Sequence, residues 1–327
     1  MTVLVTGGAG FIGSNLSKFL AKEENKKVIV IDNLATGSKK NLVGSNISLV
    51  NADLSIRGDW ERQLDGVQEI YHLAALADIV PSIEKPEKYY QANVSGTLNL
   101  LQAILERCPS ANMVYTASSS CYGTPNIYPT PETSPVSPEY PYALTKMLGE
   151  LLIMHWHKVY NIKANSCRLF NVYGNYSRNS GSYGAMFGVF LGQMINSLPI
   201  TIVGDGYQSR DFTHVDDVVQ ALITTCRLNQ KGEIFNVGSG VNVSVNEIVK
   251  HLGYNNIEHI EKRPGEPEIT HADITKIKLM TNWYPKVSID QGVHSLLKNI
   301  DLFSEMPAWT SEEIQEATKA WFQYLKD

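Results

Sequence analysis

The sequence predicts an α/β protein: a doubly wound parallel sheet followed by a smaller mixed region. Three observations carry that prediction. Short β-branched apolar runs alternate with amphipathic helical stretches through the first half of the chain. The first run, "VLVT" (3–6), stops at glycines and leads straight into a helical pattern. After about residue 174 the alternation gives way to Gly/Ser-rich polar sequence and mixed elements. Strands buried on both faces read as near-continuous apolar runs, and strands separated by helices run parallel beneath helices on both sides.

In chain order, "SNLSKFLAKE" places Leu16, Phe19 and Leu20 at helical spacing, and "KVIVID" (27–32) is a second buried strand ending in an acid. Together with "VLVT" they make an opening β-α-β unit. "ISLVNADL" is a strand and its exit, "DWERQL" a short helix, "EIYHLAA" a strand and "VSGTLNLLQAILER" a helix. "NMVYTASSS" is a strand, "YALTKMLGELLIMHWHKVY" a long amphipathic helix, and "IKANSCRLFNVYG" a strand with its exit loop. "GNYSRNSGSYG" is a long polar loop, of the kind often given over to function in compact domains. A helix over 185–197, the strand "PITIVG" and the segment "SRDFTHVDDVVQALITTC" follow. Residues 1–174 therefore form the first domain and 175–327 a smaller, substrate-side domain. "EIFNVGSG" reads as a later strand, near 233–238, that returns to the first sheet.

The 327 residues, 43% hydrophobic, suffice for a substantial core. A net charge of −5 gives no basic footprint for nucleic acid and argues against nonspecific attachment to anionic membranes. A small anionic ligand stays open, because local cationic groups can bind it inside an acidic protein. Cys108, Cys121, Cys167 and Cys226 stand alone, without a CxxC or a His-rich cluster. That suggests neither zinc nor disulfides, but free thiols in a reducing compartment. No signal peptide opens the sequence and no apolar run reaches membrane-spanning length, so a soluble cytoplasmic protein is expected.

"TGGAGFIG" holds Gly7, Gly8, Gly10 and Gly13 between a strand and a helix. Glycine there permits a tight turn and close backbone approach to a pyrophosphate, and the helix start offers free N–H donors with a favourable dipole. Asp32 ends the second strand, where a carboxylate accepts hydrogen bonds from both adenosine ribose hydroxyls and repels the extra phosphate of NADP. No arginine follows it, so NAD is the expected cofactor. Asp53, in "NADL", can meet the adenine edge, although a strand-exit Asp is also a common turn residue.

Pro141 suits a first helical turn, and Tyr142 and Lys146 lie at i and i+4 on one face. An ammonium beside a phenol favours the phenolate, so Tyr142 is expected to have a lowered pKa and to act as a base. The preceding strand ends in "ASSSCYG", which supplies hydroxyls to the same pocket.

These motifs together resemble the extended short-chain dehydrogenase/reductase family, in particular its NAD-dependent nucleotide-sugar epimerases and dehydratases. The resemblance covers nearly the whole chain, through "TGGAGFIG", "IDN", "NADL", "HLAA", "NVSGTLNLL", "SSSCYG", "YALTK", "LFNVYG", "SRDFTHVDD" and "RPGEP". It implies a Rossmann fold, Tyr142 as base, Lys146 as its partner, and Ser118 as the hydroxyl helper, four residues before Tyr122 of the "YG" pair. It implies cofactor contacts from Phe11, Ile12, Asn33, Thr36, Gly37, Leu54, Leu73, Ala74, Ala75, Asn93 and Phe170 besides those already named. Substrate contacts are implied for Asp78, Ser118, Ser119, Ser120, Tyr142, Asn171, Arg210 and Arg263, the two arginines clasping a diphosphate.

Similar dehydratases carry an Asp-Glu pair where this chain has Ser119 and Ser120. The "SSS" form resembles UDP-sugar 4-epimerases, especially those accepting N-acetylated hexoses. The resemblance thus implies reversible C4 oxidation by retained NAD, within carbohydrate metabolism such as polysaccharide biosynthesis. A dehydratase or net C4 dehydrogenase forming a 4-keto sugar, GDP-, CDP- or dTDP-linked, stays open as an alternative. So does a non-catalytic NAD-binding sensor, though such relatives typically lose the Tyr or Lys. Asp78 stands where similar epimerases carry a small or neutral residue, and it can contact the sugar or cap a helix. A homodimer through paired helices around 93–106 and 142–158 is also implied.

Overall fold

The computed structural model describes residues 1–43, 46–177, 186–304 and 307–325. Most of the long polar loop singled out above, 178–185, lies outside the described residues.

The first half of the chain runs β1 (Thr2–Thr6), α1 (Phe11–Lys22), β2 (Lys27–Asp32), β3 (Ile47–Asn51) and β4 (Val67–His72). It continues through α2 (Ile79–Glu84), α3 (Pro86–Tyr90), α4 (Gly96–Arg107), β5 (Asn112–Ser118), α5 (Pro141–Tyr160), β6 (Lys163–Leu169) and β7 (Asn171–Tyr173). The second half runs α6 (Met186–Ile195), β8 (Ile200–Val203), β9 (Ser209–His214), α7 (Val215–Arg227), β10 (Ile234–Val237) and β11 (Asn242–Ser244). Then come α8 (Val245–Leu252), β12 (Ile257–Ile260), α9 (Thr275–Thr281), α10 (Ile289–Lys298), α11 (Ser311–Ala317) and α12 (Lys319–Tyr324).

Seven strands form one sheet in the order β10-β6-β5-β4-β1-β2-β3, and every pairing in it is parallel. The apolar runs are buried on both faces, with Val3, Val5, Val28 and Val30 in one cluster and Leu4, Ile29, Ile31 and Ile70 in the other. Parallel strands need this double cover. β10 pairs with β6, so the chain returns to the first sheet after leaving it. A third cluster, built on Phe187, Phe190, Ile200, Ile202, Phe212 and Ile248, holds the smaller lobe.

Strand order reverses between β1 and β4, and ligands bind open α/β sheets in the crevice beyond the carboxyl ends at such a point. The two strand exits nearly touch there. A Cβ on Gly7, whose φ is +69°, would stand 2.7 Å from the Ala74 nitrogen. A Cβ on Gly13 would stand 2.2 Å from the Gly7 carbonyl oxygen, so only glycine lets α1 begin directly beneath the turn.

α5 crosses behind this crevice. It starts on Pro141 and ends on Asn161 in the left-handed region. Its buried face carries Ala143, Lys146, Gly149, Glu150 and Ile153. Gly149 is required because a Cβ there would collide with the Tyr115 hydroxyl at 2.3 Å. Glu150 receives the Arg168 guanidinium of β6 at 2.6 Å and the Ser166 hydroxyl at 2.9 Å, all buried. Arg168 continues to the Tyr122 hydroxyl at 2.8 Å, and Tyr122 donates to Asn236 of β10 at 2.8 Å. Removing one partner of such a pair strands a buried charge, whereas removing both does not. Glu150→Ala is therefore expected to cost roughly 3 kcal/mol in urea denaturation, and Glu150→Leu/Arg168→Met to recover most of that loss.

Candidate active site

The strand exits, the start of α1, the start of α5 and the smaller lobe enclose one cavity of about 900 Å³. At one end its wall is Gly7, Gly10, Phe11, Ile12 and Gly13. Gly10 is the N-cap residue of α1 and makes no side-chain cap, which leaves the N–H groups of the first turn without a side-chain acceptor. Asp32 is buried, and its two oxygens accept from the backbone N–H of Ala9 at 2.9 Å and of Leu34 at 2.8 Å. Each oxygen keeps a second lone pair for a hydroxyl donor. Asp32 thus also pins the glycine turn, a job its sequence position did not announce. Beside it, Asn33 donates to Asp53 at 3.0 Å, and Asp53 accepts from the Ser55 N–H at 2.8 Å. Burial opposes ionisation of Asp53, but the bonds from Ser55 and Asn33 outweigh it and hold its pKa below the ordinary value.

Most of the sequence-proposed positions share this wall: Asn33, Thr36, Asp53, Leu54, Leu73, Ala74, Ala75, Asp78, Ser118, Ser119, Ser120, Tyr142, Lys146, Phe170, Asn171, Arg210 and Arg263. Two stand behind it. Gly37 packs against Ala9, where a Cβ would stand 2.9 Å from the Ala9 carbonyl carbon. Asn93 is buried and spans the Leu76 N–H, the Leu76 carbonyl and the Thr145 hydroxyl, tying the β4 exit to α5. Both shape the wall from outside it.

At the centre, Tyr142 is half-buried on the cavity wall and interacts with Ser118, whose Oγ lies 2.8 Å from the Ser120 Oγ. The expected lowering of the Tyr142 pKa is not found in this structure. Burial pushes the phenol up, the Ser118 bond lowers it, and the Asp78 carboxylate raises it again. The acidity moves to the lysine instead. Lys146 is buried with its Nζ 4.4 Å from the centre of the Tyr115 ring. Burial pulls its pKa down to about 7, and Glu150 opposes that fall. The physical reason is that desolvation penalises whichever form is charged, anion for the phenol and cation for the amine.

At the far end Arg210 donates to Glu266 at 2.9 Å, and Arg263 stands 3.7 Å from the same carboxylate. Asn171 accepts from Thr270 at 3.0 Å. Sequence reading passed over Glu266, although "RPGEP" contains it. It also passed over Tyr140 and Trp321. Tyr140 stacks on Tyr142 with ring centres 6.4 Å apart, and Trp321 lies 6.1 Å from Tyr140. Trp321 donates through Nε1 to the Pro264 carbonyl at 2.6 Å, so α12 ties the Arg263 loop to the start of α5. Nothing in "KAWFQY" signals that role.

A parallel sheet whose glycine turn, acid-ended second strand and Tyr/Lys pair open into one cavity defines a Rossmann-type, dinucleotide-dependent enzyme. The chain belongs to the NAD dependent epimerase/dehydratase family, whose model matches residues 3–238. It is 36% identical over 299 residues to a Methanocaldococcus jannaschii protein provisionally named a UDP-glucose 4-epimerase, covering 89% of this chain and 95% of that one. Among solved structures it superposes on the Thermotoga maritima UDP-glucose 4-epimerase with UDP-glucose at a TM-score of 0.85 and 31% identity, covering 92% of this chain and 100% of the other. The Bacillus cereus UDP-glucuronic acid 4-epimerase, in complex with UDP-glucuronic acid and NAD, gives 0.84 at 29% identity, covering 92% and 99%.

The glycine turn, the uncapped start of α1 and the spare acceptors of Asp32 fit a dinucleotide. The buried Lys146 leaves a measurable trace without one. Between about pH 7 and its usual value of ~10.4, Lys146 binds a proton in the unfolded chain but not in the folded one, so stability rises with pH across that window. Below about pH 7 the penalty is fully present. Lys146→Met is expected to be more stable than the parent by roughly 3 kcal/mol at pH 6, with the gain fading toward pH ~10. Urea denaturation of ligand-free protein across that range checks it.

Proposed function

We propose that the protein is a nucleotide-diphosphate-sugar 4-epimerase that oxidises C4 reversibly with tightly held NAD, acting on a UDP-hexose or UDP-N-acetylhexosamine. The observation that carries this reading is that Tyr142, Lys146 and Ser118 share one cavity wall, and that the two residues after Ser118 are serines rather than acids. Gly7, Gly10, Phe11, Ile12 and Gly13 would hold the pyrophosphate, Asp32 the adenosine ribose, Asp53 and Leu54 the adenine, and Lys146 the nicotinamide ribose. Leu73, Ala74, Ala75 and Phe170 would wall the cofactor.

When bound, NAD supplies the hydride acceptor and a cationic ring that favours the phenolate. Ser118 holds the C4 hydroxyl and Tyr142 takes its proton, then returns it after the keto sugar has turned over in the pocket. The ammonium of Lys146 helps Tyr142 to ionise. Arg210 and Arg263 would exchange Glu266 for the diphosphate, a ligand their forked donors match in pairs. Asn171 stands on the same side.

The exposed Leu98 of α4 and Leu144 and Leu151 of α5 support a homodimer through these two helices, which sedimentation velocity reads directly. Four buried free cysteines and the absence, among the described residues, of a helix long and apolar enough to cross a membrane support a cytoplasmic placement.

Incubation with UDP-, GDP-, CDP- and dTDP-sugars, followed by NMR of the anomeric protons, tests the reading. A new epimer without free NADH supports it; loss of water or accumulating NADH overturns it in favour of dehydration or dehydrogenation. Tyr142→Phe is expected to keep NAD and lose at least about 10²-fold in turnover, read by the same NMR assay and by cofactor retention on gel filtration. Asp32→Ala is expected to weaken NAD by roughly tenfold and to narrow its advantage over NADP, read by titration of both cofactors.

A further inference from the structure

α2 is docked against the start of α5. The Tyr142 N–H donates to the Ser82 hydroxyl of α2 at 3.0 Å, and Ser82 bonds back to the Ile79 carbonyl. Asp78 immediately precedes that first turn, makes no side-chain cap to it, and lines the cavity together with Ile79, Ser118, Ser120 and Tyr142. The dock fixes the carboxylate on the wall beside the phenol. The reach of its charge is visible in the phenol itself, whose proton Asp78 helps to retain.

A sugar whose C4 hydroxyl meets Tyr142 carries its C3 and C5 substituents one on each side of that oxygen, and the one turned toward α2 meets Asp78. A carboxylate there accepts hydrogen bonds from hydroxyl or amide donors. It repels a second carboxylate, and it does so strongly where water is scarce. The two guanidiniums on the wall, Arg210 and Arg263, are drawn toward Glu266 at the diphosphate end, Lys146 faces Tyr115, and Lys88, exposed on α3, is the remaining cation of the lining. Glu139 adds a further acid to the lining.

We propose that Asp78 is a specificity-determining residue that admits hexoses with neutral, hydrogen-bond-donating substituents beside C4 and excludes hexuronates. This rests on Tyr142 marking the position of C4. The Bacillus cereus neighbour of nearly the same fold was solved with UDP-glucuronic acid, so the uronate is the sugar to set against neutral hexoses.

The test compares UDP-glucose, UDP-N-acetylglucosamine and UDP-glucuronic acid on the NAD-loaded protein. The better neutral sugar is expected to exceed the uronate by about 10²-fold in kcat/KM. Asp78→Asn, which keeps the shape and removes the charge, is expected to cut that ratio by about tenfold, chiefly through the KM of the uronate. Asp78→Glu keeps the charge and is expected to keep the exclusion. Calorimetric binding of the same sugars to Tyr142→Phe reads the preference without turnover. A neutral-sugar preference there, lost on adding Asp78→Asn, supports the proposal even if no sugar is epimerised, an outcome that would count against epimerisation alone. A parent protein that prefers the uronate, or a ratio unmoved by Asp78→Asn in correctly folded protein, overturns it.

Discussion

An ammonium buried beside a phenol is the constraint on which much of this structure depends. Lys146 is almost without solvent contact, and a charge so placed is costly unless the surroundings answer it. The answer is laid out along one helix face. Tyr142, Lys146 and Glu150 follow at four-residue spacing, and Gly149 opens the space that the Tyr115 ring and hydroxyl fill beside the lysine. Glu150 is itself a buried anion, so it needs Arg168, and Arg168 needs acceptors of its own. The Tyr122 hydroxyl and the Glu132 carbonyl supply them. Tyr122 then donates to Asn236, which closes onto the Thr130 carbonyl. One buried charge thus recruits a polar spine across β6 and β10, and the spine ties the returning strand to α5.

That spine explains why the smaller lobe is not simply appended. β10 pairs with β6, and its Asn236 N–H bonds to Glu132, whose pKa burial pushes up. The loop after β10 is held by Asp211 of β9, which accepts from the Ser239, Gly240 and Ala272 N–H groups. β9 also carries Arg210, so the arginine at the far end of the cavity and the asparagine at the end of the spine belong to one hydrogen-bonded assembly. α5 and Arg210 are therefore linked through one continuous set of hydrogen bonds.

The sequence made the local parts of this arrangement readable and left the long-range parts hidden. The opening β-α-β unit, the glycine turn, Asp32 and the Tyr/Lys pair are encoded within short windows, where spacing alone fixes geometry. Glu150 and Arg168 look like ordinary surface charges in "LGELL" and "CRLFN", and only the parallel register of β5 and β6 beneath α5 makes them a buried pair. Asn93 sits in a motif, yet its work is done against Thr145, fifty-two positions away in the chain. Gly37 is a cofactor contact implied by the resemblance alone, and its packing against Ala9, for which the missing side chain makes room, has no signal in the sequence. Trp321 lies in a short amphipathic stretch whose pattern fits any terminal helix.

The one expectation that reversed is also the most informative. Proximity of an ammonium lowers a phenol's pKa, but a phenol withdrawn from bulk water resists ionisation, and burial wins at Tyr142. Asp78 pushes the same way, so the chain keeps its base neutral by two independent means. Lys146, near half-protonation at neutral pH, is correspondingly easy to tip. Any cation seated against this wall favours the phenolate, and the phenolate in turn favours the ammonium of Lys146, while any anion helps the phenol to keep its proton. The base is thereby made conditional on what occupies the crevice. An enzyme that must oxidise and then reduce the same carbon before release gains from that condition, because proton removal is favoured only when the hydride acceptor is in place.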